Sequence, residues 1–153
     1  MAMYSAVFSG VSVSAQQDLF SLASPSGSPV CIHGCVLSQT TAVGDANERD
    51  LLLQVKRGAT TVGSGGSSVT PTDLGTAGLA YGGTVRANDT TQAAGGSVAT
   101  LHSEGWNIRS TWPWIPTPEC RIWVPAAGRL VVSLASTPAA AYTMTGTLYF
   151  EAV

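Results

Sequence analysis

A run of 25 residues, 59–83, consists almost entirely of Gly, Ser, Thr and Ala and lies between two stretches of strand-like sequence. Compact domains rarely contain so long a loop without regular structure unless it is functional, packed by its own side chains or disordered. A few apolar residues recur along it at wide spacing, which favours an extended arm that lies on another surface. We expect this arm to contact a neighbouring subunit through Leu74, Leu79 and Tyr81. The feature points to assembly rather than to catalysis.

The rest of the chain consists of short apolar segments that alternate with a period of two and are separated by Gly and Pro, the pattern of β-strands. In the clearest segment, 142–152, one face would carry Met144, Gly146, Leu148 and Phe150. A single helical turn is predicted at 46–49. Eight or nine strands are predicted, at 4–14, 18–23, 30–39, 51–57, 84–88, 97–110, 121–124, 129–135 and 142–152. This number and spacing predict one all-β domain over residues 1–153, an antiparallel β-sandwich with jelly-roll topology and a long Gly/Ser/Thr-rich arm.

Charged residues make up only 10% of the chain, against about 25% in a typical soluble domain. Lys56 is the single lysine, whereas serine and threonine number 17 each. Charged side chains, lysine above all, normally keep sheet edges from pairing with other chains. The composition therefore fits either a hydroxyl-rich monomer or a protein whose surface is covered by partner subunits. We favour the second interpretation and expect a homo-oligomer, most simply a homotrimer.

The charge pattern also excludes several classes of partner. The net charge is −2 and the basic residues are scattered, whereas nucleic-acid binding requires clustered Lys and Arg. The apolar runs are too short to cross a bilayer. Residues 1–14 lack the basic region that begins a secretory signal. We therefore expect no nucleic acid and no membrane as partners, and synthesis in a cytoplasm.

Neither the cysteines nor the histidines form a pattern typical of a metal or catalytic site. Cys31 and Cys35 would lie about 13 Å apart on one strand, too far for a disulfide or a shared metal. Zinc sites use paired ligands at closer spacing, so buried free thiols are favoured, with Cys120 standing alone. His33 lies in an apolar strand, and His102 has no suitably spaced nucleophile. We expect no metal, no cofactor, no catalytic residues and no enzymatic activity.

Four tryptophans fall within 18 residues that also contain three prolines. Three interpretations remain open for them, which are packing in the core, contact with another subunit, and stacking against sugar rings. The candidate interface residues in this segment are Trp106, Trp112 and Trp114, with Trp123 as the fourth tryptophan.

Several segments resemble small proteins encoded among the virion genes of tailed bacteriophages. The opening Tyr4-x-Ala-Val-Phe-x-Gly-Val-x-Val is followed by Gln-Asp-Leu-Phe at 17–20. The middle contains Arg57-Gly-x-Thr-Thr-x-Gly-Ser-Gly-Gly-Ser with Thr-Pro at 70–71, and the chain closes with Met144-Thr-Gly-Thr-Leu-Tyr-Phe-Glu. The likeness spans the whole chain and includes no catalytic residue.

This resemblance implies a head-associated structural protein, by analogy a capsid decoration or cement protein. Such proteins are often β-rich trimers seated between subunits of the major capsid protein. The expected location is then the capsid surface of the virion, after synthesis in the host cytoplasm. The alternative is a tail-associated or carbohydrate-binding adhesion module that uses the tryptophan-rich segment 106–123.

Overall fold

The computed structural model describes residues 1–41 and 50–153, in which every regular element longer than one turn is a β-strand. A single turn of 3-10 helix lies at Pro118–Cys120. The strands are β1 (Ala2–Val13), β2 (Gln17–Ala23), β3 (Val30–Gln39), β4 (Asp50–Arg57), β5 (Ser67–Val69), β6 (Thr72–Asp73), β7 (Thr84–Asp89), β8 (Ala99–Asn107), β9 (Trp112–Trp114), β10 (Ile122–Val124), β11 (Arg129–Leu134) and β12 (Tyr142–Ala152).

The strands form two sheets in which every pair of neighbours is antiparallel. Sheet A has the order β10-β3-β12-β1-β6, and β9 pairs with β3 along the same edge as β10. Sheet B has the order β5-β7-β2-β11-β4-β8. The predicted all-β sandwich is confirmed.

One core fills the space between the sheets, as the period-two pattern of β12 requires. Met144, Leu148 and Phe150 are fully buried there, and alternate residues of the strand are not. Gly146 occupies the remaining inward position, where a Cβ atom would lie 2.6 Å from the ring of Phe8. Each fully buried large apolar side chain contributes about 1.5–3 kcal/mol relative to an exposed one.

The nine predicted strands all occur, and the bounds of two of them, 30–39 and 142–152, are the observed bounds of β3 and β12. The longest prediction, 97–110, is shortened to β8. Three short strands, β5, β6 and β9, were not predicted because each depends on a neighbour rather than on its own sequence. The predicted turn at 46–49 lies outside the described residues.

Segment 59–83, predicted to be an arm, lies on its own domain. Thr61 and Ser64 form isolated bridges with Ala94 and Thr91. Then β5 pairs with β7 in sheet B, and β6 pairs with β1 in sheet A. The segment therefore connects one sheet to the other, and the predicted reach to a neighbouring subunit is not confirmed.

Glycine makes this close packing possible. A Cβ atom at Gly66 would lie 2.1 Å from the carbonyl oxygen of Ala87, and one at Gly63 would lie 2.4 Å from that of Thr91. Only a residue without a side chain lets the two backbones approach so closely. The many glycines thus serve contact within the chain.

Candidate interaction surfaces

Tyr81 is the anchor of segment 59–83, and it is fixed to its own domain. Its ring centroid lies 4.9 Å from that of Phe150 and 5.4 Å from that of Tyr4. Its hydroxyl donates a hydrogen bond of 2.8 Å to the carbonyl oxygen of Ala23. Burial, and then the neighbouring Tyr4, raise the pKa of the Tyr81 phenol above its usual value. The side chain predicted to contact a neighbour therefore already fills a pocket of its own subunit.

Leu74 and Leu79, by contrast, are exposed over about half of their surface, at 52% and 53%. The loop that carries them is organised by Asp73, whose carboxylate accepts hydrogen bonds from the backbone N–H groups of Gly75 and Leu79. These bonds, that from Gly75 first, lower the pKa of Asp73. The two leucines are available for a contact with another molecule.

Three of the four tryptophans, which were candidate interface residues, lie in the core instead. Trp106, Trp112 and Trp114 are 2%, 3% and 8% exposed. The reason is the pairing of β9 with β3, which turns Trp112 and Trp114 to the inner face and leaves Pro113 exposed on the outer face. Of the interpretations left open by the sequence, core packing is the one that fits these positions.

Two side chains of β8, Glu104 and His102, cover the rings of Trp112 and Trp114 at one side of the sandwich. The rings of Trp112 and Trp114 lie nearly parallel, with centroids 6.2 Å apart, and His102 packs 5.6 Å from Trp114. Glu104 accepts a 2.9 Å hydrogen bond from the indole N–H of Trp112 and contacts His102 at 3.1 Å. The Trp112 bond first, and then His102, lower the pKa of Glu104. No bare aromatic platform remains at these two rings.

The outer face of sheet A presents a different kind of surface. Residues directly opposite each other on antiparallel strands share a face of the sheet, so the strand registers define three rows of side chains here. The rows are Val7–Thr147–Val36–Pro113, Ser5–Tyr149–Gly34, and Met3–Glu151–Cys31–Trp123. We call these rows, together with Ile115, the outer face of sheet A.

Ile115 belongs to this surface because it lies over Gly34, where a Cβ atom would be 3.3 Å from its Cγ1 atom. Val7, Ile115, Trp123 and Tyr149 are exposed by 37–68%. Four strands and three rows cover an area on the order of 300 Å². Part of this area is apolar, and exposed apolar patches on a monomer are often functional.

Charge is sparse within the rows of the outer face of sheet A. At its border, the Arg57 guanidinium donates a 2.6 Å hydrogen bond to the carbonyl oxygen of Trp123, and Arg121 interacts electrostatically with Cys31. Within the three rows only Glu151 carries a carboxylate, and it forms a 3.0 Å contact with Nε2 of His33, with both side chains mostly buried. A partner would therefore contact mainly apolar and hydroxyl groups rather than a surface that carries charges of one sign. Sequence periodicity indicates which residues face outward, but the grouping into rows depends on register, which the sequence does not reveal.

The cysteines are spread over both sides of this sheet. Cys35 is in the core, Cys31 is buried in the outer row beside Trp123, and Cys120 is exposed. Burial raises the pKa of the Cys31 and Cys35 thiols. All three are free thiols in the structure. Within residues 1–41 and 50–153, no group of three or more His, Cys, Asp or Glu side chains is arranged to hold a metal ion.

A buried polar network on sheet B was missed by the sequence analysis. Asp18 accepts hydrogen bonds from the backbone N–H of Ala93 at 2.6 Å and from the amide of Gln92 at 3.4 Å. Gln92 also donates to the hydroxyl of Ser133 at 2.7 Å. Desolvation by burial outweighs these bonds and raises the pKa of Asp18. A cavity of about 90 Å³ beside it is bordered by Lys56, Arg57, Gln92 and apolar side chains.

A second buried carboxylate holds the glycine-rich segment in place. Asp89 forms a two-pronged ion pair with Arg86, with distances of 2.7 and 2.9 Å, and accepts a 3.0 Å hydrogen bond from the backbone N–H of Gly66. Both networks bind loops to sheet B with their acceptors occupied. They are structural, and long-range contacts of this kind leave no local signal in the sequence.

Comparison with known proteins yields little likeness. No family model matches the chain, and no curated protein matches it. Three solved structures of infectious bursal disease virus are similar at 14% identity: the Gx strain, a VP2 subviral particle and virus-derived T=1 particles. They align with 98–99% of this chain and 38–39% of theirs, so the chain spans about two fifths of their length, with TM-scores of 0.12–0.14. Values this low support no argument from fold.

In the described residues there is no helix with the length and hydropathy needed to span a membrane.

Proposed function

We propose that this chain is a structural virion protein of a tailed bacteriophage, a capsid decoration or cement protein that binds between subunits of the major capsid protein. The observation that carries the proposal is the outer face of sheet A, whose rows consist mainly of apolar and hydroxyl side chains and contain one carboxylate, that of Glu151. The phage-like sequence segments support the same assignment. The protein would act by binding rather than by catalysis, on the capsid surface of the virion.

We also propose a jelly-roll topology for the sandwich. Eight strands carry this topology, with β1, β3, β9 and β12 in sheet A and β2, β4, β8 and β11 in sheet B. Along the chain they alternate between the sheets, except that β4 and β8 pair with each other in sheet B. The orders β1-β12-β3-β9 and β2-β11-β4-β8 then make two four-stranded halves, as in a double-sheet jelly roll. Segment 59–83 is an insertion between β4 and β8 that adds strands outside these halves. Jelly rolls are common in viral capsid and lectin domains.

The outer face of sheet A suits a shell with many equivalent sites. A patch on the order of 300 Å² is well below the roughly 800 Å² per partner of a standard stable interface. One copy would therefore bind modestly, and several linked copies would bind far more tightly. For this reason the proposed protein acts as a homo-oligomer. The trimer expected from the sequence stays a prediction.

The alternative, an adhesion module that stacks sugars on the tryptophan-rich segment, loses its main support. Trp106, Trp112 and Trp114 are buried, and Glu104 and His102 cover the last two. Trp123 is the one tryptophan with an exposed ring. A single ring next to apolar neighbours fits a protein partner better than a sugar.

Binding to isolated phage heads that lack this protein tests the proposal. We expect Trp123→Ser to weaken binding by about thirtyfold or more, since a hot-spot tryptophan typically contributes 2 kcal/mol or more at an interface. Val7→Ser should also weaken it. Val62→Ser is the matched control, because Val62 is exposed to 47% and Val7 to 50%, but Val62 lies in the glycine-rich segment beside sheet B. Heads that bind neither the parent nor the variants, or that bind all of them equally, would contradict the proposal.

A further inference from the structure

The outer edge of β8 is an open sheet edge. This strand is the last of sheet B and pairs with β4 on one side, and no other described strand pairs with it. Outside that ladder, none of the described backbone hydrogen bonds involves residues 99–106. The strand has nine residues and is about 30 Å long. Its free N–H and C=O groups are therefore a template for another strand.

The other edge strands are short, and β8 is not. The edge of β1 is also partly open, because β6 pairs with only Tyr4 and Ser5 of that strand. The opposite edge of sheet B is β5, with three residues, and the edges of sheet A are β6, β9 and β10, with two or three residues each. Short edge strands, lysine and proline are the usual means of preventing edge pairing. β8 contains neither lysine nor proline. Its protective features are one irregularity at Leu101 and the inward-facing carboxylate of Glu104.

The sequence of β8 is complementary to itself when it runs antiparallel. In a two-fold pairing centred on Ser103, His102 of one copy lies opposite Glu104 of the second copy, and the reverse contact is identical. Leu101 then lies opposite Gly105, which leaves room for it. Centring on Glu104 would instead oppose two carboxylates, which is unfavourable. The register centred on Ser103 avoids this contact between carboxylates.

We infer that β8 pairs with β8 of a second copy of this chain, joining two copies of sheet B into one continuous antiparallel sheet. A contact of one strand with itself closes after two copies. The inference does not rest on the proposed function, because it concerns the free protein in solution.

Charged residues introduced at position 103, the centre of the pairing, provide the test. Ser103 is exposed and faces away from the core beside Gln54. Ser103→Lys and Ser103→Glu each place like charges directly opposite each other, and we expect each to raise the dissociation constant by about tenfold or more. An equimolar mixture of the two variants should restore the assembly, because lysine then faces glutamate. Ser68→Lys on β5, the opposite edge of the same sheet, is the control and should have no effect.

Light scattering over a dilution series of chain concentration, from about 1 to about 100 μM, gives the dissociation constant of each assembly. We expect the parent to reach at least twice the 15.6 kDa chain mass, and each charged variant to need about tenfold higher concentration to reach the same mass. A parent protein of single-chain mass at the highest concentration would overturn the inference. So would charged variants whose mass follows that of the parent at every concentration, or a mixture that fails to restore it.

A crosslink provides a second readout that does not depend on destabilising the assembly. With Cys120 replaced by serine to remove the exposed thiol, Ser103→Cys should form a disulfide between copies under mild oxidation. Ser68→Cys in the same background should not. Equal crosslinking at both positions, or none at position 103, would contradict the register.

Discussion

Replacing Tyr81 by alanine distinguishes a segment packed on its own domain from an arm that waits for a partner. Tyr81→Ala removes ring contacts with Tyr4 and Phe150 and the hydrogen bond to Ala23. Large aromatic truncations in a core cost about 3–5 kcal/mol. Tyr81 is only partly buried, so about 2 kcal/mol is expected from packing, with about 1 kcal/mol more from the lost hydrogen bond.

The free energy of unfolding of the isolated protein should therefore fall by about 3 kcal/mol. The corresponding fall in Tm for a domain of this size is about 6–12 °C. Tyr81→Phe, which keeps the ring and loses the hydroxyl, should cost about 1 kcal/mol. Leu79→Ala, at a half-exposed site of the same loop, should change stability by less than about 0.5 kcal/mol.

Urea unfolding followed by tryptophan fluorescence measures all three variants against the parent. If Tyr81→Ala unfolds at the same urea concentration as the parent, the segment does not stabilise its own domain. The packing of Tyr81 described above would then be refuted, and the interpretation as an arm would be favoured.

Three further predictions concern single residues. Gly66→Ala should destabilise the fold by about 1–3 kcal/mol, because its Cβ would lie 2.1 Å from a carbonyl oxygen of β7. Gly27→Ala is the control: Gly27 has open space around it, so thermal melts of this variant should match those of the parent. The hydrogen bond from Trp112 lowers the pKa of Glu104. The ionised carboxylate therefore stabilises the folded state at pH values above its usual pKa of 4.5. This stabilisation is lost as the pH falls below that value toward the lowered pKa. Glu104→Gln should then lose less stability than the parent on acidification, and an equal loss in both would contradict this. Thiol titration should show fast reaction of Cys120 and slow reaction of the two buried thiols, with three reactive thiols after unfolding; a count of one would indicate a disulfide.

The strands with strong alternation could be predicted from sequence because burial of one face decides their structure. The bounds of β12 follow from the alternation around Met144 and Phe150, and those of β3 from the turn signals on either side. β5 and β6 could not be predicted, since serine and threonine pair there only because β7 and β1 lie beside them. Pairing with β7 and β1 overrides the weak intrinsic β-propensity of β5 and β6.

The candidate surfaces were harder to predict for the same reason. Trp112 and Trp114 stand two residues apart, which indicates one shared face of a strand and favours core packing among the three interpretations that the sequence left open. The pairing of Asp18 with Gln92 joins residues 74 positions apart, and no local pattern encodes it. Likewise, the outer face of sheet A exists only once the register places Val7 in the row of Val36 and Pro113.

Electron cryo-microscopy of the intact virion is the most direct test of the central claim, that this chain decorates a phage capsid through the outer face of sheet A. We expect density for the sandwich on the outside of the head, with Val7, Tyr149 and Trp123 turned toward the major capsid protein. Density for the chain in the tail alone, or on the head with these side chains facing solvent, would contradict the claim.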